Sequence, residues 1–209
     1  MITYRLAALG LGLVLAAALV GQVATLPAAT QDPDWHHLRG TYFATGTTSC
    51  IASGAGFNLN RTPMAGEFVY LQTSSAEGIW TFHADGTGTG QLTEVQVTLA
   101  MPVPPDLTGA SKAEESFSFT YKITDDGALT ITPGTVSGTF TSGTEVGDTF
   151  TVTIPALSGW IAKDGTAITL ASTAVTLETV TVLMPSGGTE ATIPQICNRT
   201  RVLIPVHED

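Results

Sequence analysis

Charged residues are scarce in this sequence, and basic residues are the scarcest of them. Charged side chains make up 12% of the 209 residues, which is about half the share in a typical soluble protein. Eight basic residues against 18 acidic ones give a formal net charge of −10. Binding to a phosphate backbone or an anionic membrane depends on clustered Lys and Arg, and the sequence has no such cluster. We therefore expect no nucleic-acid partner, and no membrane association once an N-terminal signal has been removed.

Recognisable metal-binding motifs are also missing. The sequence has no CxxC and no HxxxH pair, which are spacings typical of zinc sites. The adjacent His36 and His37 would point to opposite sides of an extended chain, so we do not expect them to share a metal. Asp125-Asp126-Gly127 lacks the later oxygen ligands of an EF-hand loop and is interpreted as a turn. The sequence predicts neither a metal nor a cofactor.

No catalytic motif stands out either. A Gly-x-Ser-x-Gly nucleophile motif is absent, and no pair of carboxylates recurs at a fixed spacing. We therefore name no catalytic residue, and a non-enzymatic role is favoured while the question stays open. For an enzyme, the first candidates as acid or base would be His83, Glu94 and Glu178.

A long apolar run occurs at the N-terminus, from Leu6 to Val20, directly after Arg5. A positive charge before a short apolar core is typical of a secretory signal. The run is shorter than the roughly 20 residues that span a membrane, although a membrane anchor is the alternative. We expect residues 1–29 to be a signal peptide, with Ala24 or Ala29 as its last residue. Residues 30–209 would then form a single domain that is periplasmic or extracellular.

The sequence contains only two cysteines, Cys50 and Cys197. In an oxidising compartment an even number of cysteines indicates a disulfide, and two unpaired buried thiols are the alternative. The bond would join the beginning of the domain to its end. In the chain-entropy model so long a loop gives roughly 4–5 kcal/mol of stabilisation.

Alternation of apolar and polar residues dominates the sequence after its first 34 residues. In Phe117–Ile123 every odd position is apolar and every even position is polar. Thr149–Ile154 also alternates, with its apolar residues at the even positions. Such patterns put one face of a strand in a core and the other in water. In a third run, the apolar residues expected to face the core are Val95, Val97 and Leu99.

Turn signals separate the alternating runs. Three Asp-Gly pairs lie between them, at Asp85-Gly86, Asp126-Gly127 and Asp164-Gly165, and this pair is the strongest short signal of a β-hairpin. The pattern predicts an all-β fold, namely a single antiparallel up-and-down β-barrel of about eight to ten strands. A β-sandwich is the alternative. In such a barrel the first and last strands are neighbours, which suits a bond between the two cysteines.

Short sequence features resemble a known family. Gly40-Thr41-Tyr42 resembles the Gly-x-Trp entry of lipocalins and their calycin relatives, with Tyr42 in place of the Trp. Arg199 or Arg201 resembles the arginine that packs across that aromatic residue in the family. The chain also resembles exported bacterial proteins of unknown function that have a Gly-Thr-Tyr opening and a late Cys-x-Arg segment. The lipocalin resemblance implies a barrel with an apolar cavity for a small hydrophobic ligand.

Aromatic residues on the predicted inner faces are the candidate ligand-binding residues. They either fill a core or line a cavity, because small barrels can do both. Phe140 and Trp160 could add to the same interior. The six candidates are Trp80, Phe82, Phe117, Phe119, Tyr121 and Phe150.

These observations favour an exported binding protein for a small hydrophobic ligand. A structural or interaction protein of the cell envelope or extracellular matrix is the first alternative. A cavity-type isomerase or cyclase is the second, because such an enzyme need not carry a sequence motif. A membrane-spanning barrel is disfavoured by the Thr and Ser on the polar faces of the strands.

Overall fold

The computed structural model describes residues 38–65, 68–101, 109–185 and 191–206. The predicted signal peptide and the His36-His37 pair lie outside these residues. All regular elements within the described ranges are β-strands, and these ranges contain no helix that could cross a membrane. In chain order the strands are β1 Gly40–Ser53, β2 Val69–Phe82, β3 Thr87–Met101, β4 Gly109–Ile123, β5 Ala128–Pro133, β6 Thr135–Ser142, β7 Thr149–Thr153, β8 Leu157–Ile161, β9 Ile168–Ser172, β10 Leu177–Leu183 and β11 Ala191–Pro205.

The eleven strands form one antiparallel sheet that closes on itself. Strand β1 pairs with β2 on one side and with β11 on the other, and both pairings extend over most of its length. The hydrogen-bonded ring therefore has no open edge at β1. This closure confirms the predicted antiparallel barrel over the sandwich alternative.

Six of the strands are short and lie end to end in pairs. Strand β4 pairs with β5 near one end of the barrel and with β6 near the other, and β11 pairs in the same way with β9 and β10. The composite strands β5–β6, β7–β8 and β9–β10 are broken at Gly134, at Pro155 and at residues 173–176. Together with the five unbroken strands they make eight full-length strands of the barrel, which we call staves. The staves are neighbours in the order in which they occur in the sequence.

The three Asp-Gly pairs form the predicted turns. Gly86, Gly127 and Gly165 have positive φ angles of 83°, 86° and 71°, which glycine adopts without steric cost. The aspartate before each glycine accepts a hydrogen bond from a nearby Thr hydroxyl, and at Asp164 this bond from Thr166 measures 2.7 Å. The turns thus join consecutive staves into an up-and-down order.

Strand β3 faces the opposite way from its prediction. Val95, Val97 and Leu99 point outward and are about half exposed, whereas Gln96 is buried. The inner face of β3 is set by Gly88, Gly90 and Leu92, which pack against aromatic rings and the core. The prediction was wrong because the barrel interior at the level of Gln96 is polar, so alternation alone could not identify the inner face.

An aromatic plug fills the end of the barrel that carries the Asp85-Gly86 turn. Neighbouring rings in it meet mostly edge to face, with centroids 5.0–5.3 Å apart for the closest pairs. Strand β3 makes room for them, because a Cβ at Gly88 would lie 2.2 Å from the ring of Phe119. The plug consists of Tyr42, Trp80, Phe82, Phe117, Phe119 and Tyr121.

Candidate functional site

A cavity of about 140 Å³ lies inside the barrel, beside the inner surface of the aromatic plug. Its apolar wall comes from β6, β7 and β10, whose residues at the cavity surface are aliphatic or aromatic. Its polar wall comes from β1, β3, β4 and β11. The apolar wall comprises Val136, Phe140, Phe150, Val152, Val180 and Val182, and the polar wall comprises Thr48, Glu94, Gln96, Glu115, Arg199 and Arg201.

Five of the six candidate aromatic residues belong to the plug, and three of the six border the cavity. Trp80, Phe117 and Phe150 border the cavity. Phe82, Phe119 and Tyr121 are packed inside the plug and do not border it, and the Tyr121 hydroxyl donates a 2.7 Å hydrogen bond to the backbone carbonyl of His83. The barrel therefore has a filled end and a hollow region. Trp160, in contrast, lies on the outer surface with 55% of its area exposed, so the expectation that it adds to the interior was wrong.

Arg199 of the polar wall forms a buried ion pair with Glu178, which does not itself border the cavity. Both guanidinium nitrogens of Arg199 donate to the carboxylate of Glu178, and the Nη2 to Oε2 distance is 2.7 Å. Gln195 donates a further bond of 3.3 Å to the same carboxylate. The side chain of Glu178 is fully buried. The two hydrogen bonds from Arg199 to Glu178 fix the position of the guanidinium group. Removing one partner of such a pair would leave an uncompensated buried charge.

The side chain of Arg201 lies across β1, where a glycine without a side chain leaves room for it. It is opposite Gly46 in the register, and a Cβ at Gly46 would lie 2.8 Å from Cδ of Arg201. Its Nη1 donates to the carbonyl of Thr47 at 2.9 Å, and its Nη2 donates to Oγ1 of Thr48 at 3.1 Å. Burial lowers the pKa of Arg201, while the nearby carboxylates of Glu94 and Glu115 act in the opposite direction.

The register also separates Arg201 from the aromatic residue of the Gly40-Thr41-Tyr42 triplet. Tyr42 is opposite Pro205, whereas Arg201 is opposite Gly46. Four residues along a strand correspond to about 13 Å. The ring contact of Tyr42 is with Phe82, at a centroid distance of 5.2 Å.

Two carboxyl groups on neighbouring strands meet in the polar wall. Glu94 on β3 and Glu115 on β4 are hydrogen-bonded to each other, and both border the cavity. The pKa of Glu115 is raised to about 8, first by burial and then by Glu94, against the opposing effect of Arg201 and Arg199. At neutral pH Glu115 therefore holds a proton that it shares with Glu94.

The candidate acid and base residues occupy three different positions. Glu94 borders the cavity, and Glu178 is held by Arg199 behind it. His83 is exposed at the turn between β2 and β3. Glu115, Arg199 and Arg201 were not predicted to form a group with Glu94. The sequence did contain a signal for the two arginines. Cys197, Arg199 and Arg201 are two residues apart on β11, so alternation places both arginines on the same face as the cysteine.

Polar side chains satisfy one another at the end of the cavity away from the plug. Gln72 donates to Gln96, and Nε2 of Gln96 donates to the hydroxyl of Ser111 at 2.6 Å. Ser111 is also hydrogen-bonded to Glu145, whose pKa is raised by burial. Burial and the charge of Glu145 raise the pKa of Tyr70 to about 12. Gln72, Gln96, Ser111 and Glu145 therefore form one chain of hydrogen bonds at this end.

Trp80 differs from these residues in having an unsatisfied donor. Its side chain is 2% exposed, and its indole Nε1 is one of three buried side-chain polar atoms, among the described residues, that have no hydrogen-bond partner. The other two are the hydroxyls of Ser53 and Ser74. A buried donor without an acceptor costs about 1–3 kcal/mol. Trp80 is the member of this group that borders the cavity.

The disulfide between Cys50 and Cys197 forms as predicted. The two residues are opposite each other in the pairing of β1 with β11, with a Cα–Cα distance of 4.1 Å. The bond crosses the seam that closes the barrel and joins positions 147 residues apart. It is compatible with an exported protein, because such bonds persist in oxidising compartments.

Comparison with known proteins adds no relative to this picture. The sequence matches no protein-family model, and no curated protein is significantly similar to it. Within the described part of the chain, no three His, Cys, Asp or Glu side chains are grouped as metal ligands. The site itself is therefore the basis for an assignment of function.

Proposed function

We propose that the protein binds a small, mostly hydrophobic molecule inside the barrel. The observation that carries this proposal is the cavity of about 140 Å³ with an apolar wall on one side. The same barrel packs its other end with aromatic and aliphatic side chains, so the hollow region is not a general consequence of the fold. Concave, mostly apolar sites with a few polar groups are typical of ligand pockets.

The volume of the cavity supports a ligand of about one ring. A cavity of about 150 Å³ lined by aliphatic and aromatic side chains can hold benzene. Phe140 and Phe150, whose ring centroids are 5.0 Å apart, offer aromatic surface on the apolar wall. A long acyl chain would exceed the space available. The proposed ligand is therefore compact.

We also propose that the protein is exported and that its barrel is lipocalin-like. The meander of eight staves and the Gly40-Thr41-Tyr42 triplet at the start of β1 support the likeness. The position of Arg201 opposite Gly46 departs from the family pattern. Export is supported by the disulfide across the seam between β1 and β11.

Filling the cavity tests the binding proposal. Val136 borders the cavity and is 3% exposed, so Val136→Phe should place a ring in the ligand's space. A ligand at 100 times its Kd adds about 2.7 kcal/mol to the stability of the wild type. The apparent affinity for each single-ring compound of a panel is obtained from the rise in Tm with compound concentration. We expect this affinity to be at least about tenfold lower in the variant than in the wild type.

The matched control is Val97→Phe, because Val97 is 55% exposed on the outer surface. This variant should respond to the panel as the wild type does. A wild-type protein that gains no thermal stability from any compound of the panel would contradict the proposal. Equal responses from Val136→Phe and Val97→Phe would show that the compounds bind elsewhere.

A further inference from the structure

The ring of Phe150 lies over a glycine of the neighbouring strand. Gly138 on β6 is directly opposite Phe150 on β7 in the antiparallel pairing, and both residues are buried. A Cβ at Gly138 would lie 2.3 Å from Cζ and 2.5 Å from Cε1 of the Phe150 ring. Since Cβ atoms do not approach other atoms so closely, the ring occupies the space that a side chain at position 138 would need.

The same arrangement occurs twice in the aromatic plug. Gly88 is opposite Phe119 and Gly90 is opposite Phe117, and a Cβ at either glycine would lie 2.2 Å from Cζ of the opposite ring. A glycine opposite an aromatic residue lets the ring lie across the sheet, because no side chain is in its way. The rings in the plug pack against other rings, whereas the ring of Phe150 borders the cavity.

The neighbours of Phe150 occupy the other space around its ring. The centroid of the Phe140 ring lies 5.0 Å from that of Phe150. Val152 follows on the same face of β7 and is buried. Val182 is opposite Phe150 in the pairing of β7 with β10 and packs against the same cluster. A ring that left the glycine would therefore enter the cavity.

A side chain at position 138 would move this ring and not the sheet. The atoms in its way are the far end of a flexible side chain, whereas at Gly46 and Gly78 the nearest atom is a backbone oxygen 2.0 Å away. Gly138 has no positive φ angle, so its backbone conformation suits alanine as well as glycine. The cavity holds about 140 Å³, so a ring that moved into it would take space from a ligand.

We propose that Gly138 determines the size of the ligand, because it lets the Phe150 ring lie against the barrel wall and leaves the cavity free. The ligand class that follows is a single ring without large substituents, bound beside Phe150. A second fused ring would need the space that the Phe150 ring fills. This inference rests on the proposed function, because it assigns the size selectivity of the same cavity.

Benzene and naphthalene test the inference, because they share their chemistry and differ by one fused ring. Their Kd values for the full-length protein are measured by equilibrium dialysis in sealed cells. We expect the wild type to bind benzene at least about tenfold more tightly than naphthalene. Gly138→Ala should bind benzene at least about tenfold more weakly than the wild type, because the displaced ring overfills the cavity.

Changing Phe150 separates the effect of its ring from other effects of the alanine. In Phe150→Leu the advantage of benzene over naphthalene should fall to about threefold or less, because the ring that limits the cavity is gone. The double variant Gly138→Ala, Phe150→Leu should bind benzene within about threefold of the wild type, because it has no ring to displace. Gly109→Ala is the matched control, since Gly109 is exposed and a Cβ there would contact no atom within 4 Å. It should bind both probes as the wild type does.

The outcomes distinguish the inference from the proposed function. Gly138→Ala that binds benzene as tightly as the wild type would overturn the role of Gly138 and leave the binding proposal standing. Equal affinities of the wild type for benzene and naphthalene would overturn it in the same way. If Gly138→Ala does not fold, the double variant is compared with Phe150→Leu, and weaker benzene binding by about tenfold in the double variant would contradict the inference. A wild type that binds neither probe would count against the cavity as a ligand site and against both proposals.

Discussion

Glu115 has a carboxyl group whose pKa is raised far above its ordinary value. Its carboxyl group borders the cavity, next to Glu94 and within electrostatic range of Arg201 and Arg199. Burial raises its pKa to about 8, so a group that is normally ionised is neutral at pH 7. The fold therefore holds one proton that the unfolded chain does not hold.

This proton makes the stability of the protein depend on pH. The ordinary pKa of Glu115 is 4.5 and the native pKa is about 8, so the native state binds more protons than the unfolded state between these values. Stability from this group is therefore fully present below about pH 4.5 and is lost as the pH rises toward 8. We expect Glu115→Gln to be more stable than the wild type at pH 8, by about 1–3 kcal/mol.

Thermal unfolding followed by circular dichroism between about pH 5 and pH 8 measures this difference. The wild-type Tm should fall with rising pH more steeply than that of Glu115→Gln. Glu114→Gln is the matched control, because Glu114 is the adjacent, exposed residue of β4, and it should keep the wild-type slope. Parallel curves for Glu115→Gln and the wild type would contradict the assignment of a native-state proton to Glu115.

At the scale of elements, the seam between β1 and β11 decides whether the sheet is closed. Backbone pairing runs along it from Tyr42 to Ala52, and the disulfide is placed within that pairing. Residue pairs directly opposite each other in an antiparallel ladder suit a short cross-link. The bond thus joins the first and last staves where they are already in register.

Removing this bond should weaken the fold without changing its topology. We expect the double variant Cys50→Ala, Cys197→Ala to lose about 2–5 kcal/mol of unfolding free energy, because the unfolded chain regains the freedom of a long loop. Chemical denaturation of both proteins under non-reducing conditions measures the change. A double variant as stable as the wild type would show that the bond does not constrain the unfolded state.

Strand positions could be predicted from the sequence better than strand faces. Alternation and the Asp-Gly turns located the staves, because side-chain period and turn conformation are local properties. The inner face of β3 could not be read in the same way, since Gln96 is buried with hydrogen bonds to Gln72 and Ser111 on the neighbouring strands β2 and β4. Such partners are not visible in the alternation of β3 itself.

For the whole molecule, the sequence supported a single closed barrel but not its cavity. Closure follows from the order of the staves and from the two cysteines. A cavity depends on how the side chains of all the staves fill the space between them. The six aromatic residues were expected inside together, whereas the structure gathers five of them in the plug and places Phe150 on the wall of the cavity.

The most direct test of the account is native mass spectrometry of the protein purified from an exported fraction without denaturation. We expect a compact non-covalent adduct of about the mass of a single-ring compound, which is lost on denaturation. The mass of the polypeptide itself should be short by a signal peptide and by the two hydrogens of the disulfide. A protein that carries no adduct, and that takes up none from a panel of single-ring compounds, would contradict a binding role for the cavity.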